Sequence, residues 1–377
     1  MELPLSGVRV IEVGQALAGP LAGVIMADMG ADVIKVEKPE GDDARAWGPP
    51  FGPDGETSLY FYGQNRSKRS VSLDLKTPEG IEALHKLCET ADILIHNLRP
   101  GVMEEMGLSA EEMVARHPRL VYCTISGFGF TGPMKMKPAF DPILQAYGGM
   151  MSVTGYPDGP PSLCGASVND KATGMFTVIG ALAALRQRDL TGKGGIVDTS
   201  LFDTAAFWVE GQINQYLYDG HITRRHGTGA AVIVPYQAFQ TSDLPLLLAA
   251  ANDRFFARTC QVLGHPEWAQ DERFLRGRDR VRNKVELIPL MQEAFFTRSR
   301  QEWLDALGAA GVPVSPVNDI AEVANSAQMQ AVEMICELPE GGPKVLGLPI
   351  HFNRRRPKPN RPSPRIGQHN REILGRD

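Results

Sequence analysis

The stretch VRVIEVGQALAGP, at residues 8–20, decides the fold class. Its first six residues are mostly β-branched and predict a short buried strand, and the AGP triplet then begins an apolar helical segment that ends at Gly30. Further strands are predicted at residues 33–37, 70–75, 92–96 and 120–125, and Thr77 with Pro78 begins another helix between them. Strands that alternate with helices indicate an α/β fold with a parallel sheet covered by helices.

The length of 377 residues leaves room for two or three domains. Residues 1–218 carry the strand–helix alternation and predict the first part of a large domain. Residues 219–232 are polar and rich in glycine, which is typical of a linker. Residues 233–324 predict a smaller α+β domain, and residues 325–377 predict a return to the large domain followed by a C-terminal tail.

The composition is that of a globular protein, and it argues against several functions. Lys and Arg number 39 against 44 Asp and Glu, and the net charge of −5 disfavours a nucleic-acid partner. The five cysteines are widely spaced, which predicts no zinc site and free thiols in a reducing cytoplasm. No apolar stretch approaches the roughly 20 residues that span a bilayer, and no signal peptide is recognisable. The sequence therefore predicts a cytoplasmic protein without a membrane partner.

Basic side chains follow several predicted strands. In open α/β sheets, ligands bind at the carboxyl ends of the strands, where Lys and Arg suit a phosphorylated ligand. The alternative is a solvated charged surface. The GxGxxG fingerprint of dinucleotide-binding proteins is absent, which argues against a nicotinamide-dependent dehydrogenase. The residues concerned are Lys35, Lys38, Arg45, Arg66, Lys68, Arg69 and Lys76.

Asp170 stands at the N-terminus of a predicted helix that is rich in Gly and Ala and can therefore pack closely against other backbone. Two interpretations are open. Asp is among the best N-caps, which is the simpler explanation from the residues alone. A carboxylate held ionised and oriented by the helix end could also act as a nucleophile.

Six segments in a fixed order resemble the class III CoA-transferases, the CaiB/BaiF family that includes formyl-CoA transferase. The resemblance extends over nearly the whole chain. It implies a Rossmann-like large domain that binds coenzyme A, a small domain, and a homodimer whose protomers interlock. The segments are the opening strand with AGP, VIKVEKPEGD (33–42), NRSKRSVSLDLKTPEG (65–80), ADILIHNLRPG (91–101), ISGFGFTGP (125–133) and the D-x-x-T-G run at 170–174.

The resemblance implies that CoA moves from an acyl-CoA donor to a carboxylic acid acceptor without a metal. Asp170 would be the nucleophile, through an aspartyl anhydride and an aspartyl-CoA thioester. Arg45 would replace a basic residue that is common where Glu105 stands. The CoA contacts implied by the family are Gln15, Ala16, Lys38, Leu73, Lys76, Asn97, Arg99 and Lys137.

Four further positions concern the acid and the developing oxyanion. The formyl-CoA branch has a run of glycines that closes over the site, and this chain has only Gly227 and Gly229 as the nearest substitute. The resemblance also implies that Phe140 belongs to a segment that lines the substrate pocket. Leu17 stands where the oxalate-using branch has Gln, which argues against oxalate. We expect a succinyl-CoA-type donor and a small dicarboxylate or aliphatic acid as acceptor.

An α-methylacyl-CoA racemase of the same fold is the nearest alternative. That enzyme needs a His-Asp pair in the segment where this chain has Phe140 and Asp141, and phenylalanine transfers no proton. A scaffold that binds CoA without catalysis is the other alternative, and acylation of Asp170 would distinguish it.

Overall fold

The computed structural model describes residues 2–375, which contain 11 β-strands and 17 α-helices. The strands are Arg9–Val13 (β1), Asp32–Glu37 (β2), Arg69–Ser72 (β3), Ile93–His96 (β4), Val121–Ser126 (β5), Gly195–Ser200 (β6), Tyr236–Phe239 (β7), Leu246–Ala249 (β8), Val314–Pro316 (β9), Ile335–Glu337 (β10) and Lys344–Leu346 (β11).

The helices follow the same chain order. They are Ala18–Asp28 (α1), Leu59–Asn65 (α2), Pro78–Cys88 (α3), Val102–Glu105 (α4), Ala110–Arg116 (α5), Asp141–Tyr147 (α6), Met150–Val153 (α7), Val168–Thr191 (α8), Leu201–Trp208 (α9), Glu210–Asp219 (α10), Asp253–Leu263 (α11), Gly277–Arg282 (α12), Lys284–Phe295 (α13), Arg300–Ala309 (α14), Ile320–Ala324 (α15), Ala327–Ala331 (α16) and Asn370–Leu374 (α17). Within residues 2–375, no helix combines the length and the apolar composition needed to cross a membrane.

The described chain divides into two compact units. The larger unit comprises the chain up to Met150, Cys164–His221 and the chain from Ala327 on; the smaller unit comprises Met151–Leu163 and Ile222–Ser326. The sequence predicts residues 151–163 as part of the large domain, and the structure corrects this. The guanidinium of Arg225 donates hydrogen bonds to the backbone oxygens of Tyr156, Pro157 and Gly159, which attaches the segment to the smaller unit.

The larger unit contains a six-stranded, fully parallel sheet in the order β3-β2-β1-β4-β5-β6. This confirms the predicted α/β fold. Ile11 at the centre of β1 pairs with Ile34 of β2 on one side and with Leu94 of β4 on the other. Strand order therefore reverses between β1 and β4, and ligands of open α/β sheets bind outside the carboxyl ends of the strands at such a point. Strands β10 and β11 form a separate antiparallel pair.

Close packing of α8 against α1 fixes the helical layer on one face of the sheet. A Cβ atom added at Gly174 of α8 would lie 2.7 Å from the backbone oxygen of Ala18, so only glycine allows this approach. Val178 and Ala181 continue the contact surface into the buried core. The prediction that this small-residue helix packs against other backbone is confirmed.

The smaller unit has its own core beneath a three-stranded antiparallel sheet in the order β7-β8-β9. Phe256, Phe274, Phe295 and Trp303 are buried in it. Two of the three strands are predicted by the sequence, near residues 236–241 (β7) and 244–250 (β8). Strand β9 is not, because it has three residues and ends in proline, which weakens every strand signal.

Candidate active site

The carboxyl ends of β1 and β4 meet at the point where strand order reverses. Gln15 follows β1, and Asn97 follows β4. The backbone N–H of Gln15 donates to the side-chain oxygen of Asn97 at 2.8 Å, and the Asn97 amide nitrogen donates to the backbone oxygen of Gln15 at 2.7 Å. The two turns predicted as ligand sites are therefore joined to each other.

The turn after β1 has an unusual backbone conformation at Ala16, whose φ is 62°. A residue with a Cβ rarely occupies this left-handed region. The Ala16 N–H donates to Oδ1 of Asp42 at 3.1 Å, and the same oxygen accepts the Ala44 N–H at 3.0 Å. Asp42 thus ties the turn after β1 to the segment after β2.

A buried ion network lies beneath this turn. Nζ of Lys35 lies 3.1 Å from Glu12 and 2.9 Å from Asp42, while Nζ of Lys68 lies 2.7 Å from Glu12. Burial alone would lower the pKa of Lys35, but the carboxylates of Glu12 and Asp42 raise it above its ordinary value. Both alternatives offered by the sequence for Lys35 and Lys68 are wrong, because their fully buried ammonium groups reach neither a phosphorylated ligand nor the solvent.

A cavity of about 170 Å³ opens beside the same turn. Four of the predicted CoA contacts line it, namely Gln15, Lys38, Leu73 and Lys76. The side chains of Lys38 and Lys76 are exposed, and Lys38 pairs with Asp43 at 2.8 Å. Two flexible cations at the mouth of a small cavity suit a phosphate-bearing ligand.

The other predicted CoA contacts have different surroundings. Arg99 and Lys137 are exposed, and no residue within 2–375 forms an ion pair with either. Arg45 is instead used inside the fold, because its guanidinium donates to both Glu37 oxygens at 2.7 and 2.8 Å. It also lies 3.9 Å from the centre of the Phe61 ring. Arg45 is therefore not free to replace the basic residue missing at position 105.

A larger cavity, about 570 Å³, lies at the opposite end of the strands. Arg9, Arg69 and Glu372 are among its lining residues. Arg9 and Arg69 both pair with Asp32, at 3.1 and 2.6 Å. Because these charges are matched and none of the CoA contacts implied by the family resemblance lines this cavity, we place the candidate site at the carboxyl ends of the strands.

Asp170 is the third residue of α8, not its N-cap. The N-cap is Ser167, whose side chain makes no capping hydrogen bond. The interpretation of Asp170 as an N-cap is therefore wrong. Within residues 2–375 no group donates a hydrogen bond to the Asp170 carboxylate, which is only partly exposed.

Asp141, the first residue of α6, takes the capping role. Its Oδ2 accepts the backbone N–H of Asn169 at 2.7 Å and that of Asp170 at 3.1 Å. Burial and then the charge of Asp141 raise the pKa of Asp170 to about 7. The expectation that the helix end holds Asp170 ionised is therefore wrong, because the nearest helix N–H groups bind Asp141 instead.

Tyr60 also belongs to this site, and the sequence does not reveal it. Burial raises the pKa of its hydroxyl far above the ordinary value, and the charges of Asp170 and Asp141 raise it further. Its ring centre lies 5.6 Å from that of Trp47. Asp141 had a recognisable signal, since an Asp-Pro pair is typical of a helix start; Tyr60 had none.

The candidates for the acid and the oxyanion have mixed outcomes. The Gly227 N–H donates to the Gly155 backbone oxygen at 2.9 Å, and the Gly229 N–H donates to that of His226 at 3.0 Å. Because both N–H groups are already used within the smaller unit, neither is free to bind an oxyanion. The Phe140 side chain is largely exposed and immediately precedes Asp141.

Comparisons with known proteins agree on one family. The sequence model of CoA-transferase family III matches residues 5–370. A succinate–glutarate CoA-transferase from Agrobacterium fabrum is 40% identical over 98% of this chain and 95% of its own length. An acetyl-CoA:oxalate CoA-transferase from Acetobacter aceti is 39% identical over 93% of this chain and 89% of its own. The crystal structure of a CaiB/BaiF family protein from Brucella suis has a TM-score of 0.90 at 38% identity, covering 100% of this chain and 99% of that one.

Proposed function

Since the chain belongs to CoA-transferase family III, we propose that it transfers coenzyme A from an acyl-CoA donor to a carboxylic acid, with Asp170 as the nucleophile. The observation that carries this proposal is the Asp170 carboxylate itself. It is desolvated, accepts no hydrogen bond from residues 2–375, and has a pKa raised to about 7. A carboxylate with these properties is a stronger nucleophile than a hydrated one.

The reaction would proceed in four balanced steps. The Asp170 carboxylate attacks the thioester carbonyl. The C–S bond breaks, CoA departs as its thiolate, and a mixed anhydride of Asp170 and the donor acid remains. The thiolate attacks the Asp170 carbonyl and releases the donor acid as its carboxylate, which gives an aspartyl-CoA thioester. The acceptor carboxylate displaces CoA to form a second anhydride. The thiolate then attacks the acceptor's acyl carbonyl and frees Asp170, so no proton is gained or lost overall.

The coenzyme would bind at the carboxyl ends of β1, β2 and β4. Lys38 and Lys76 border the cavity of about 170 Å³ and supply positive charge for phosphates. The turn Gln15–Ala16 would lie beside the pantetheine arm, and the exposed guanidinium of Arg99 and ammonium of Lys137 would neutralise the remaining phosphate charge. Arg45 supports this surface indirectly through Glu37.

We propose a succinyl-CoA-type donor and a short dicarboxylate, such as glutarate, as the acceptor. The Agrobacterium fabrum relative, 40% identical, is named for succinate and glutarate. Oxalate is the necessary comparison, because the relative named for it is 39% identical even though Leu17 disfavours this acid. A racemase reaction lacks support, because Phe140 transfers no proton and both of these relatives are named as CoA-transferases.

A second copy of the chain would complete the enzyme as a homodimer in the cytoplasm. Large apolar side chains of the larger unit are exposed, with Ile179 at 60%, Leu217 at 74% and Tyr218 at 91%. Leu217 and Tyr218 are neighbours in α10, and clustered exposed apolar side chains favour an interaction surface. Light scattering should give twice the chain mass, and Leu217→Arg should reduce it; a monomeric wild-type protein would contradict the dimer.

The five free cysteines are consistent with the proposed location in a reducing compartment.

The test of the proposed function is a direct transfer assay. The protein is incubated with succinyl-CoA and glutarate, and the CoA esters are separated by chromatography. We expect glutaryl-CoA to appear as succinyl-CoA disappears, with slower conversion when oxalate replaces glutarate. Release of free CoA without a new CoA ester, for every acid tried, would refute the proposal.

A further inference from the structure

Asp141 has no part in the four steps above, yet it is the charged side chain held against the first turn of α8. It is buried, and its two oxygens are used differently. Oδ2 accepts the N–H groups of Asn169 and Asp170, while Oδ1 accepts the side-chain amide of Gln145 at 2.6 Å. Gln145 in turn accepts the Cys164 N–H at 2.9 Å. Asp141 therefore lies at the centre of a link between α6, the segment after Cys164 and α8.

The first N–H groups of a helix are strong donors for an anion, because they have no partner within the helix and carry the positive end of its dipole. At α8 the Val168 N–H donates to the Ala166 backbone oxygen, and the next two N–H groups go to Asp141. Without Asp141, these two donors would be free for the carboxylate of Asp170, which belongs to the same turn of α8. A carboxylate that accepts such hydrogen bonds is more stable and less basic.

We propose that Asp141 is a positioning residue for the nucleophile: it occupies the N–H groups at the start of α8 and so leaves the Asp170 carboxylate unpaired and reactive. This inference rests on the proposed function of Asp170. The same contacts hold the first turn of α8 in place, so Asp141 fixes the position of the attacking oxygen as well as its basicity. The arrangement costs stability, since two carboxylates face each other in a partly dry site, and such costs are typical of active sites.

We assign the effect on the basicity of Asp170 to Asp141 after considering the other groups that surround Asp170. Asp141 on α6 and Tyr60 on α2 are the titratable groups whose charges or pKa values are coupled to Asp170. Helix α1 brings Ala18 and Leu21 to this end of α8, and α9 brings Thr204; none of these three side chains titrates near neutral pH.

Two variants separate charge from hydrogen bonding. Asp141→Asn keeps one oxygen for the helix N–H groups and removes the charge, while Asp141→Ala frees both N–H groups. Asp92→Asn is the matched control. The Asp92 carboxylate also accepts a backbone N–H, that of Arg9 at 2.8 Å, and pairs with Arg188 at 2.7 Å, but it precedes β4 and so lies at the opposite end of the strands.

For each variant we would measure the melting temperature, kcat and KM for succinyl-CoA, and kcat/KM as a function of pH. For Asp141→Asn we expect the rise of kcat/KM to move to lower pH and its plateau to fall. For Asp141→Ala we expect kcat to fall by about 100-fold while KM changes little, because the attacking oxygen is both paired and displaced. Asp92→Asn should lose melting temperature and keep the wild-type pH profile.

Two results would overturn the inference. If the folded fractions of both Asp141 variants keep the wild-type kcat and pH profile, and lose only melting temperature as Asp92→Asn does, then Asp141 has a purely structural role. If the wild-type protein transfers no CoA, or Asp170→Asn remains active, the proposed function fails and the inference fails with it. The wild-type and Asp170→Asn measurements therefore distinguish the two failures.

Discussion

Nζ of Lys35 lies 2.9 Å from Oδ2 of Asp42, and neither side chain is exposed to solvent. The other oxygen of Asp42 accepts the Ala16 N–H, so a buried cation near the carboxyl ends of β1 and β2 helps to hold the turn where coenzyme A is proposed to bind. Lys35 also donates to the Gly14 backbone oxygen at 2.7 Å. The conformation of this turn therefore depends on a charge that is 21 residues from Gly14 in the sequence.

Replacement of Lys35 by Met should lower the free energy of unfolding by about 3–5 kcal/mol, because Glu12 and Asp42 lose a buried partner. Chemical denaturation would measure this loss. Lys38→Met is the matched control, since the Lys38–Asp43 pair is exposed and should contribute less than about 1 kcal/mol. Equal losses in the two variants would show that the buried network is not what stabilises the turn.

Gly174→Ala should destabilise the protein although alanine is the better helix former. The added Cβ would lie 2.7 Å from the Ala18 backbone oxygen, and overpacking of this kind costs about 1–3 kcal/mol. Gly211→Ala in α10 is the control, because no atom lies within 4 Å of the added Cβ; it should leave the melting temperature unchanged or raise it. A stabilised Gly174→Ala protein would contradict the close packing of α8 on α1.

The helix and strand pattern could be predicted because its signals are local. Thr77 caps α3 through the Gly80 N–H at 3.1 Å, and Pro78 is the first residue of that helix, as predicted. Each of the five predicted strands of the parallel sheet overlaps an observed strand. No single segment specifies their order in the sheet, which is seen only in the structure.

The site could be predicted only in part, because its decisive contacts join residues distant in sequence. Asp170 was recognisable from the D-x-x-T-G run, but its surroundings were not. Asp141 accepts the N–H of Asn169, in the first turn of the Asp170 helix, and these two residues are 28 positions apart in the sequence. Lys35 and Glu12 are 23 positions apart. The residues next to a lysine in the sequence do not show whether it is buried with carboxylate partners or exposed. Lys35 and Lys68 were therefore indistinguishable from ligand-binding cations.

The rate of the first half-reaction should depend on the ionisation of Asp170. Because its pKa is raised to about 7, kcat/KM for succinyl-CoA should rise tenfold per pH unit below that value and level off above it. Steady-state rates between pH 5 and pH 9, taken as ~2 units on each side of that pKa, would show this. If kcat/KM stays constant as the pH falls to the ordinary pKa range of a carboxyl group, then burial and Asp141 do not hold the proton on Asp170.

Asp170→Asn should stabilise the protein at alkaline pH. The pKa of Asp170 is higher in the folded protein than the ordinary aspartate value of 3.8, so the folded state binds more protons between those values and stability falls as pH rises through that window. Above pH 7 Asp170 is ionised in the folded protein, and this ionisation lowers the free energy of unfolding by its full amount, at most about 4 kcal/mol. The variant lacks it, so its melting temperature should exceed that of the wild type at pH 8, and the two should converge at pH 4. An equal difference at both pH values would contradict this.

The covalent intermediate tests the central claim most directly. The protein is mixed with succinyl-CoA alone, quenched in acid and examined by intact-protein mass spectrometry, with Asp170→Asn treated in parallel. We predict that the wild-type chain gains the mass of CoA less one water, as an aspartyl-CoA thioester requires, and that the variant gains nothing. A wild-type protein that transfers CoA without forming this adduct, or an adduct that persists in Asp170→Asn, would contradict the assignment of Asp170 as the nucleophile.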